Sequence, residues 1–149
     1  MARGRFQIAL FTFVKVVLDT NCFISCIGKQ SPYRKVFDDF LDKKYTLCVS
    51  TEILFEYEEK FAEFWGEHVT RNLLGVLLTA ENTLLQDVFY NFHLVKNDVD
   101  DNKFADVYLA ASADVLVTND KNLLALGENN FPSVRTMTLE NFLKYTSFI

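Results

Sequence analysis

Short apolar runs alternate with amphipathic segments along most of the chain. The runs 13–18, 45–49 and 115–118 are rich in strand-forming residues and lack strict apolar–polar alternation, which is typical of strands buried on both faces. A shorter run at 134–137 indicates a fourth strand, whereas 81–95 fits either a strand or a helix. Strands that alternate with helices predict an α/β fold, specifically a three-layer α/β/α sandwich around a central, mainly parallel sheet.

Helical periodicity follows most of the apolar runs. Apolar residues recur three and four positions apart over 31–42, 51–66, 69–78 and 102–112, and again after Thr138, so we expect helices there. Four residues on the helix over 102–112 are expected to be buried, namely Phe104, Val107, Tyr108 and Ala111. Phe61 and Phe64 fit either the core or a dimer surface. The other apolar residues at helical spacing are Val36, Phe37, Phe40, Leu41, Ile53, Leu54, Tyr57, Leu139, Phe142 and Leu143.

Length and composition favour one globular domain. The chain has 149 residues, of which half are hydrophobic, and this suffices for a single core. We expect residues 1–12 to form an N-terminal extension and 13–149 the domain. The apolar run 8–14 is too short to span a bilayer and lacks a cleavage site, so neither a membrane segment nor a signal peptide is predicted. Three Cys without paired spacing indicate a reducing, cytoplasmic location.

The charge balance narrows the functions to consider. Fifteen Lys and Arg against twenty Asp and Glu give a formal net charge of −5. A protein that coats nucleic acid would carry the opposite charge, because phosphate neutralisation requires Lys and Arg. A nuclease stays open, because carboxylates that hold divalent cations lower the pI and the cations then face the phosphate.

Four acidic residues fall where the predicted fold would bring them together. Asp19 follows the first strand, Asp120 follows the 115–118 strand, and Asp101 and Glu56 lie on the intervening helices. The carboxyl ends of parallel strands share one edge of the sheet, where ligands bind in such folds. Clustered carboxylates repel one another unless a cation neutralises them, and oxygen ligands suit hard divalent cations. The sequence therefore predicts a metal site at this edge.

The segments that carry these acids resemble a known family. Leu-Asp-Thr-Asn at 18–21, the segment 49–56, the acidic segment 98–106 and Val-Thr-Asn-Asp-Lys at 117–121 are together similar to a PIN domain, and most similar to the VapC-like subgroup of toxin–antitoxin toxins. The resemblance extends from about Lys15 to the end of the chain.

The resemblance implies a function and a partner. It implies that Asp19, Glu56, Asp101 and Asp120 form an acidic tetrad that binds Mg²⁺ or Mn²⁺ and hydrolyses single-stranded RNA by attack of water, leaving a 5′-phosphate. It further implies a toxin silenced by a cognate antitoxin, and pairing of two copies as a homodimer.

Several assignments within the site stay open at this point. Asp98, Asp100, Asp101 or Asp106 could supply the third carboxylate, and Asp106 is a candidate further metal ligand; Glu52 competes with Glu56. The residues expected to orient the carboxylates are Asn21, Thr118 and Asn119. The residues expected to contact substrate phosphates are Lys15, Lys103 and Lys121.

Structural roles compete with each functional one. Asp19 and Asp101 are also suited to cap helices, and Cys22, Cys26 and Cys48 fit a hydrophobic core better than a zinc site. The main alternative function is a catalytically silent module of the same fold that binds protein or RNA. A dehalogenase-type phosphohydrolase is disfavoured, because Asn21 stands where that chemistry requires a second Asp.

Overall fold

A five-stranded parallel sheet forms the centre of the protein. The structure, a computed structural model, describes residues 14–149, so the predicted extension 1–12 and Phe13 lie outside the described residues. The strands are β1 (Lys15–Leu18), β2 (Thr46–Val49), β3 (Thr83–Leu85), β4 (Val115–Val117) and β5 (Thr136–Met137), in the order β3-β2-β1-β4-β5. All neighbouring strands run parallel, so their carboxyl ends share one edge of the sheet.

Helices cover both faces of this sheet. In β1, Val16, Val17 and Leu18 are all fully buried, and successive side chains point to opposite faces. The described helices are α1 (Thr20–Ile27), α2 (Arg34–Leu41), α3 (Thr51–Thr79), α4 (Asn102–Ala110), α5 (Lys121–Leu124) and α6 (Leu139–Tyr145), with 3-10 turns at Val99–Asp101, Ala125–Glu128 and Thr146–Phe148. The predicted α/β sandwich is confirmed. No helix within 14–149 is long and apolar enough to cross a membrane.

The two helices predicted over 51–66 and 69–78 are the two halves of α3, which bends at Gly66. Gly66 has φ +81° and ψ 168°, a conformation that a residue with a Cβ rarely adopts. The helix begins after Ser50, whose side chain accepts a hydrogen bond from the Ile53 N–H at 3.1 Å, as expected of an N-cap.

Aromatic rings join the helices to the sheet. Phe23 of α1 meets Tyr57 of α3 edge to face at 5.0 Å, and Tyr45 beside β2 meets Phe142 of α6 in the same way at 5.3 Å. Two apolar residues at helical spacing, Leu41 and Phe64, are exposed. Leu41 is the last residue of α2, and Phe64 lies close to the bend at Gly66 in α3, so neither side chain packs in the core.

The ambiguous stretch 81–95 contains one short strand, β3, followed by irregular chain. That irregular chain leads into the 3-10 turn before α4. The strand suggested at 134–137 exists as β5 but is only two residues long.

Candidate functional site

Asp19 and Asp120 lie at the ends of neighbouring strands. Asp19 directly follows β1 and caps α1, with Oδ1 accepting a hydrogen bond from the Cys22 N–H at 2.8 Å. Asp120 follows β4 and caps α5, with Oδ1 accepting from the Asn122 N–H at 2.8 Å and the Leu123 N–H at 3.2 Å. In each case capping uses Oδ1 and leaves Oδ2 for another partner. The structural role therefore does not exclude the functional one.

Thr118 connects the Asp19 carboxylate to the backbone of Asp120. Its side chain is fully buried, and its hydroxyl donates to Asp19 Oδ2 while accepting from the Asp120 N–H at 3.0 Å. Asp19 and Asp120 line a cavity of about 210 Å³ whose wall includes Asn21 and Ser25. Thr118 thus fixes two acids beside a space that is open to a ligand.

Asp101 lies close enough to the other acids to feel their charge. Burial and then the carboxylates of Asp98, Asp120, Asp19 and Glu56 raise the pKa of Asp101 to about 7. Asp101 also makes no side-chain hydrogen bond as a cap of α4. A carboxyl with a pKa near 7 in neutral solution indicates negative charge that the protein does not compensate.

Burial is also the main cause of a raised pKa at Asp19. Hydrogen bonds from Thr118 and Cys22 lower this pKa in part, and the charge of Asp120 raises it further. Thr118, which bonds Asp19, and Asp120, which lines the same cavity, are thus also the residues that influence the pKa of Asp19. The carboxyl edge of the sheet consequently carries three mutually repelling acids.

Within residues 14–149, Glu56 is the one member of the predicted tetrad that forms an ion pair. Lys103 Nζ lies 2.7 Å from its Oε1, and the Thr20 hydroxyl donates to its Oε2. The Lys103 side chain is only 6% exposed. Lys103, predicted to contact a phosphate, is therefore committed to Glu56 in this structure. Glu52, the alternative to Glu56, is an exposed residue of the first turn of α3.

The structure does not bring Asp106 to the other acids. Asp106 Oδ1 accepts a hydrogen bond from the Phe92 N–H at 3.0 Å. Its pKa is raised by burial and lowered by Phe92 and His93, with no influence from the tetrad. In this structure its carboxylate holds the chain that follows β3, so the role of Asp106 as a metal ligand stays a prediction that this contact does not support.

Two further predicted site residues also have other partners. Asn119 Oδ1 accepts from the Leu139 N–H at 3.1 Å, and Asn119 also lines the cavity that Asp19 and Asp120 line. Lys15 begins β1 at the opposite edge of the sheet, where its Nζ donates to the Ala111 carbonyl at 3.0 Å. Asn119 therefore stays a candidate to orient the carboxylates, whereas the structure does not bring Lys15 to the acids.

Lys121 and Asn21 stay at the site. Lys121 directly follows Asp120 and is exposed, and no ion pair of the described residues includes it. Asn21 is exposed and lines the cavity beside Asp19. These two positions are thus accessible to a substrate.

Sequence reasoning missed two residues that position the acids. Thr20 contacts Glu56, and its place in the Leu-Asp-Thr-Asn segment was the available signal. The Tyr57 hydroxyl donates to the Leu18 carbonyl at 2.6 Å and so fixes the strand end just before Asp19. Helical spacing marked Tyr57 only as a core residue. The three Cys are free and buried, as predicted for core residues.

The residues at this edge are of the types that bind a divalent cation, although their side chains are not arranged around one ion. Among residues 14–149, no three His, Cys, Asp or Glu side chains stand close enough together to hold one ion. The donors that adjoin the cavity are carboxylates, which Mg²⁺ and Mn²⁺ prefer. Burial and then the neighbouring carboxylates raise the pKa of Asp101, and a bound cation would offset the repulsion among these carboxylates.

Comparisons with known proteins agree with this geometry. The sequence profile of the PIN domain matches residues 15–122. An uncharacterized protein of Methanocaldococcus jannaschii, MJ1680, is 32% identical over 124 residues, which cover 78% of this chain and 77% of that protein. Among solved structures, VapBC2 from Rickettsia felis bound to a DNA fragment from their promoter superposes with a TM-score of 0.58 at 17% identity. That match covers 84% of this chain and 98% of the other.

DNA-bound VapBC from Salmonella typhimurium gives the same TM-score, 0.58, at 17% identity, over 85% of this chain and 98% of the other. At this identity the two solved structures show a shared fold. The profile match covers most of the chain, and the M. jannaschii relative adds a similarity at the level of sequence. The chain belongs to the PIN domain family, whose members are nucleases that generally use divalent metal ions.

Proposed function

We propose that this protein is a ribonuclease that hydrolyses phosphodiester bonds of single-stranded RNA with Mg²⁺ or Mn²⁺. The observation that carries the proposal is the crowding of acids at the carboxyl edge of the sheet. Asp19 and Asp120 line one cavity, and their charges add to the effect of burial in raising the pKa of Asp101. Such crowding costs stability unless a cation is bound, so it is better explained by a ligand site than by folding alone.

In this proposal Asp19, Asp101 and Asp120 hold the ion. When bound, a divalent cation supplies positive charge that offsets the charge developing on a phosphodiester attacked by water. Thr118 keeps Asp19 Oδ2 oriented, and Lys103 with Thr20 fixes Glu56 beside the site.

Substrate contact falls to the accessible polar groups at the site. Lys121 is exposed beside Asp120 and is placed to contact a substrate phosphate, while Asn21 lines the cavity. No Ser or Cys nucleophile is required, since Ser25 has no adjacent base among its hydrogen-bond partners and burial raises the pKa of Cys22. Water is therefore the proposed nucleophile.

We further propose that the protein is the toxin of a toxin–antitoxin module and pairs with an antitoxin. The two solved structures of the same fold are VapBC complexes, which supports this assignment for the present chain. We expect that a small protein encoded by a neighbouring gene co-purifies with this protein and suppresses its cleavage of RNA. A homodimer, also proposed, is checked by sedimentation.

Calorimetric titration of Mn²⁺ tests the metal site. Asp19→Asn and Asp120→Asn should each abolish binding, because each removes a carboxylate from the same site. Asp42→Asn is the matched control, since Asp42 is an exposed acid at the end of α2 and loses the same charge. Binding that survives both site substitutions would contradict a shared site.

RNA cleavage is then assayed with Mn²⁺ and the same variants. A catalytically silent binding module is the second candidate, favoured by the Lys103–Glu56 pair and by the lack of three converged ligands in the described residues. A parent protein that binds no Mn²⁺ and cuts no single-stranded RNA would favour that second candidate.

A further inference from the structure

Exposed aromatic rings follow β3 in the irregular chain 86–95. Phe89 is 92% exposed and Tyr90 is 67% exposed, and Phe92 is also on the surface. Tyr90 and Phe92 meet edge to face at 4.6 Å. Several large rings on the surface lack the stabilisation that burial in a core would give them. Their exposed position therefore indicates a surface that binds a ligand.

This segment begins and ends near the acidic site. It starts at the carboxyl end of β3, the sheet edge that also carries Asp19 and Asp120. Shortly after its end at Val95, the chain enters the 3-10 turn Val99–Asp101, which contains Asp101. A substrate strand that extends from the acids toward β3 would therefore approach these rings.

Side chains of α4 hold the segment in place. Asp106 accepts from the Phe92 N–H at 3.0 Å. Asn102 accepts from the Val95 N–H at 2.7 Å and donates to the Val95 carbonyl at 2.9 Å. Both anchors are buried side chains, so the rings are presented by a fixed backbone, which lowers the entropy cost of binding.

The electrostatics favour recognition of bases over recognition of phosphates. The chain carries a net charge of −5, Lys103 is paired with Glu56, and Lys15 lies at the opposite edge. Few cations are thus left to attract a polyanion. Stacking of bases on aromatic rings supplies affinity that needs no positive charge.

We propose that Phe89 and Tyr90, supported by Phe92, form a stacking surface for unpaired bases of an RNA strand bound at the acidic site. This inference rests on the proposed ribonuclease function for the identity of the strand. RNA is preferred to a protein partner because the exposed residues between and beside the rings, Asn91 and His93, are polar. The neighbouring aliphatic side chains of Val88 and Leu94 are half-buried against the core instead of adding to the exposed surface.

Binding is measured by fluorescence anisotropy in EDTA with the full chain and a labelled ten-nucleotide oligouridylate. A ribose-phosphate oligomer of equal length without bases is the second probe. We expect the parent to prefer the oligomer with bases. Phe89→Ala and Tyr90→Ala should each weaken its binding on the order of tenfold and leave the abasic oligomer unaffected, whereas Tyr90→Phe should bind as the parent does.

Phe131→Ala is the matched control. Phe131 is also 92% exposed but precedes β5, on the side of the sheet where strands begin, so its removal should change nothing. Equal binding by the parent and Phe89→Ala, equal losses with both oligomers, or an equal loss with Phe131→Ala would each overturn the proposal. The same holds if the rings prove to matter only for self-association, as measured by sedimentation.

Mn²⁺-dependent cleavage, measured separately, keeps the two proposals apart. A parent that prefers bases through Phe89 but cuts no RNA refutes the ribonuclease and retains the stacking surface. If the parent cuts RNA, and Phe89→Ala cuts it as efficiently and binds it as tightly as the parent does, only the stacking surface is refuted.

Discussion

Replacement of Thr118 by Val tests the hydrogen bonds that connect Asp19 to Asp120. The Thr118 hydroxyl donates to Asp19 Oδ2 and accepts from the Asp120 N–H, and the side chain is fully buried. Val has nearly the same shape and cannot make either hydrogen bond. The substitution therefore removes two hydrogen bonds and little else.

The expected cost follows from these two partners. A hydrogen bond to a charged group contributes about 1.5–3 kcal/mol and an ordinary one about 1 kcal/mol, so the free energy of unfolding should fall by about 3 kcal/mol. For a domain of about this size each kcal/mol changes the Tm by about 2–4 °C. Thr118→Val should therefore lower the Tm of the metal-free protein by about 10 °C.

Thermal and denaturant unfolding at pH 8 in EDTA provide the assay, and Thr83→Val is the control. The Thr83 hydroxyl is buried with no hydrogen-bond partner, so the same substitution there should leave stability unchanged or slightly raised. Thr118→Ser should retain much of the parent's stability because it keeps the hydroxyl. Equal losses for Thr118→Val and Thr83→Val would refute the argument that these hydrogen bonds stabilise the strand ends.

Three other substitutions probe the charges and contacts around the acids. Asp101→Asn should stabilise the metal-free protein by an amount that grows between about pH 4 and pH 7 and is constant above pH 7. The reason is that the folded-state pKa of Asp101 is about 7, so ionisation of this carboxyl lowers the stability of the parent over that interval. Denaturant unfolding at several pH values measures the gain, and a gain that does not depend on pH would contradict this reasoning. Tyr57→Phe should lower the free energy of unfolding by about 1–3 kcal/mol, because it leaves the buried Leu18 carbonyl without its donor, whereas Tyr90→Phe on the surface should change nothing. Lys103→Met should lower the free energy of unfolding of the metal-free protein and enlarge the increase that Mn²⁺ causes, because Glu56 loses its cation. Lys121→Met is the control, and an equal response of both variants would contradict this role for Lys103.

Local pattern was sufficient to predict the layers of the fold. The apolar runs before Asp19 and Asp120 form β1 and β4 as expected, because a run without polar alternation is stable only when both faces are covered. The pattern failed over 81–95, where a three-residue strand is too short to show a period. The pattern also did not show that Leu41 and Phe64 are exposed, because periodicity does not reveal where a helix ends or bends.

The sequence by itself determined that acids follow the strands, and a parallel sheet brings strand ends to one edge. Only the tertiary structure decided the partner of each side chain. Glu56 and Lys103 are 47 residues apart, and Asp19 and Thr118 are 99 apart. Such pairs depend on strand order and on helix packing, which no local period encodes. For the same reason the sequence did not reveal that Asp106, one of several acids in the segment 98–106, accepts a hydrogen bond from the Phe92 N–H of the aromatic segment.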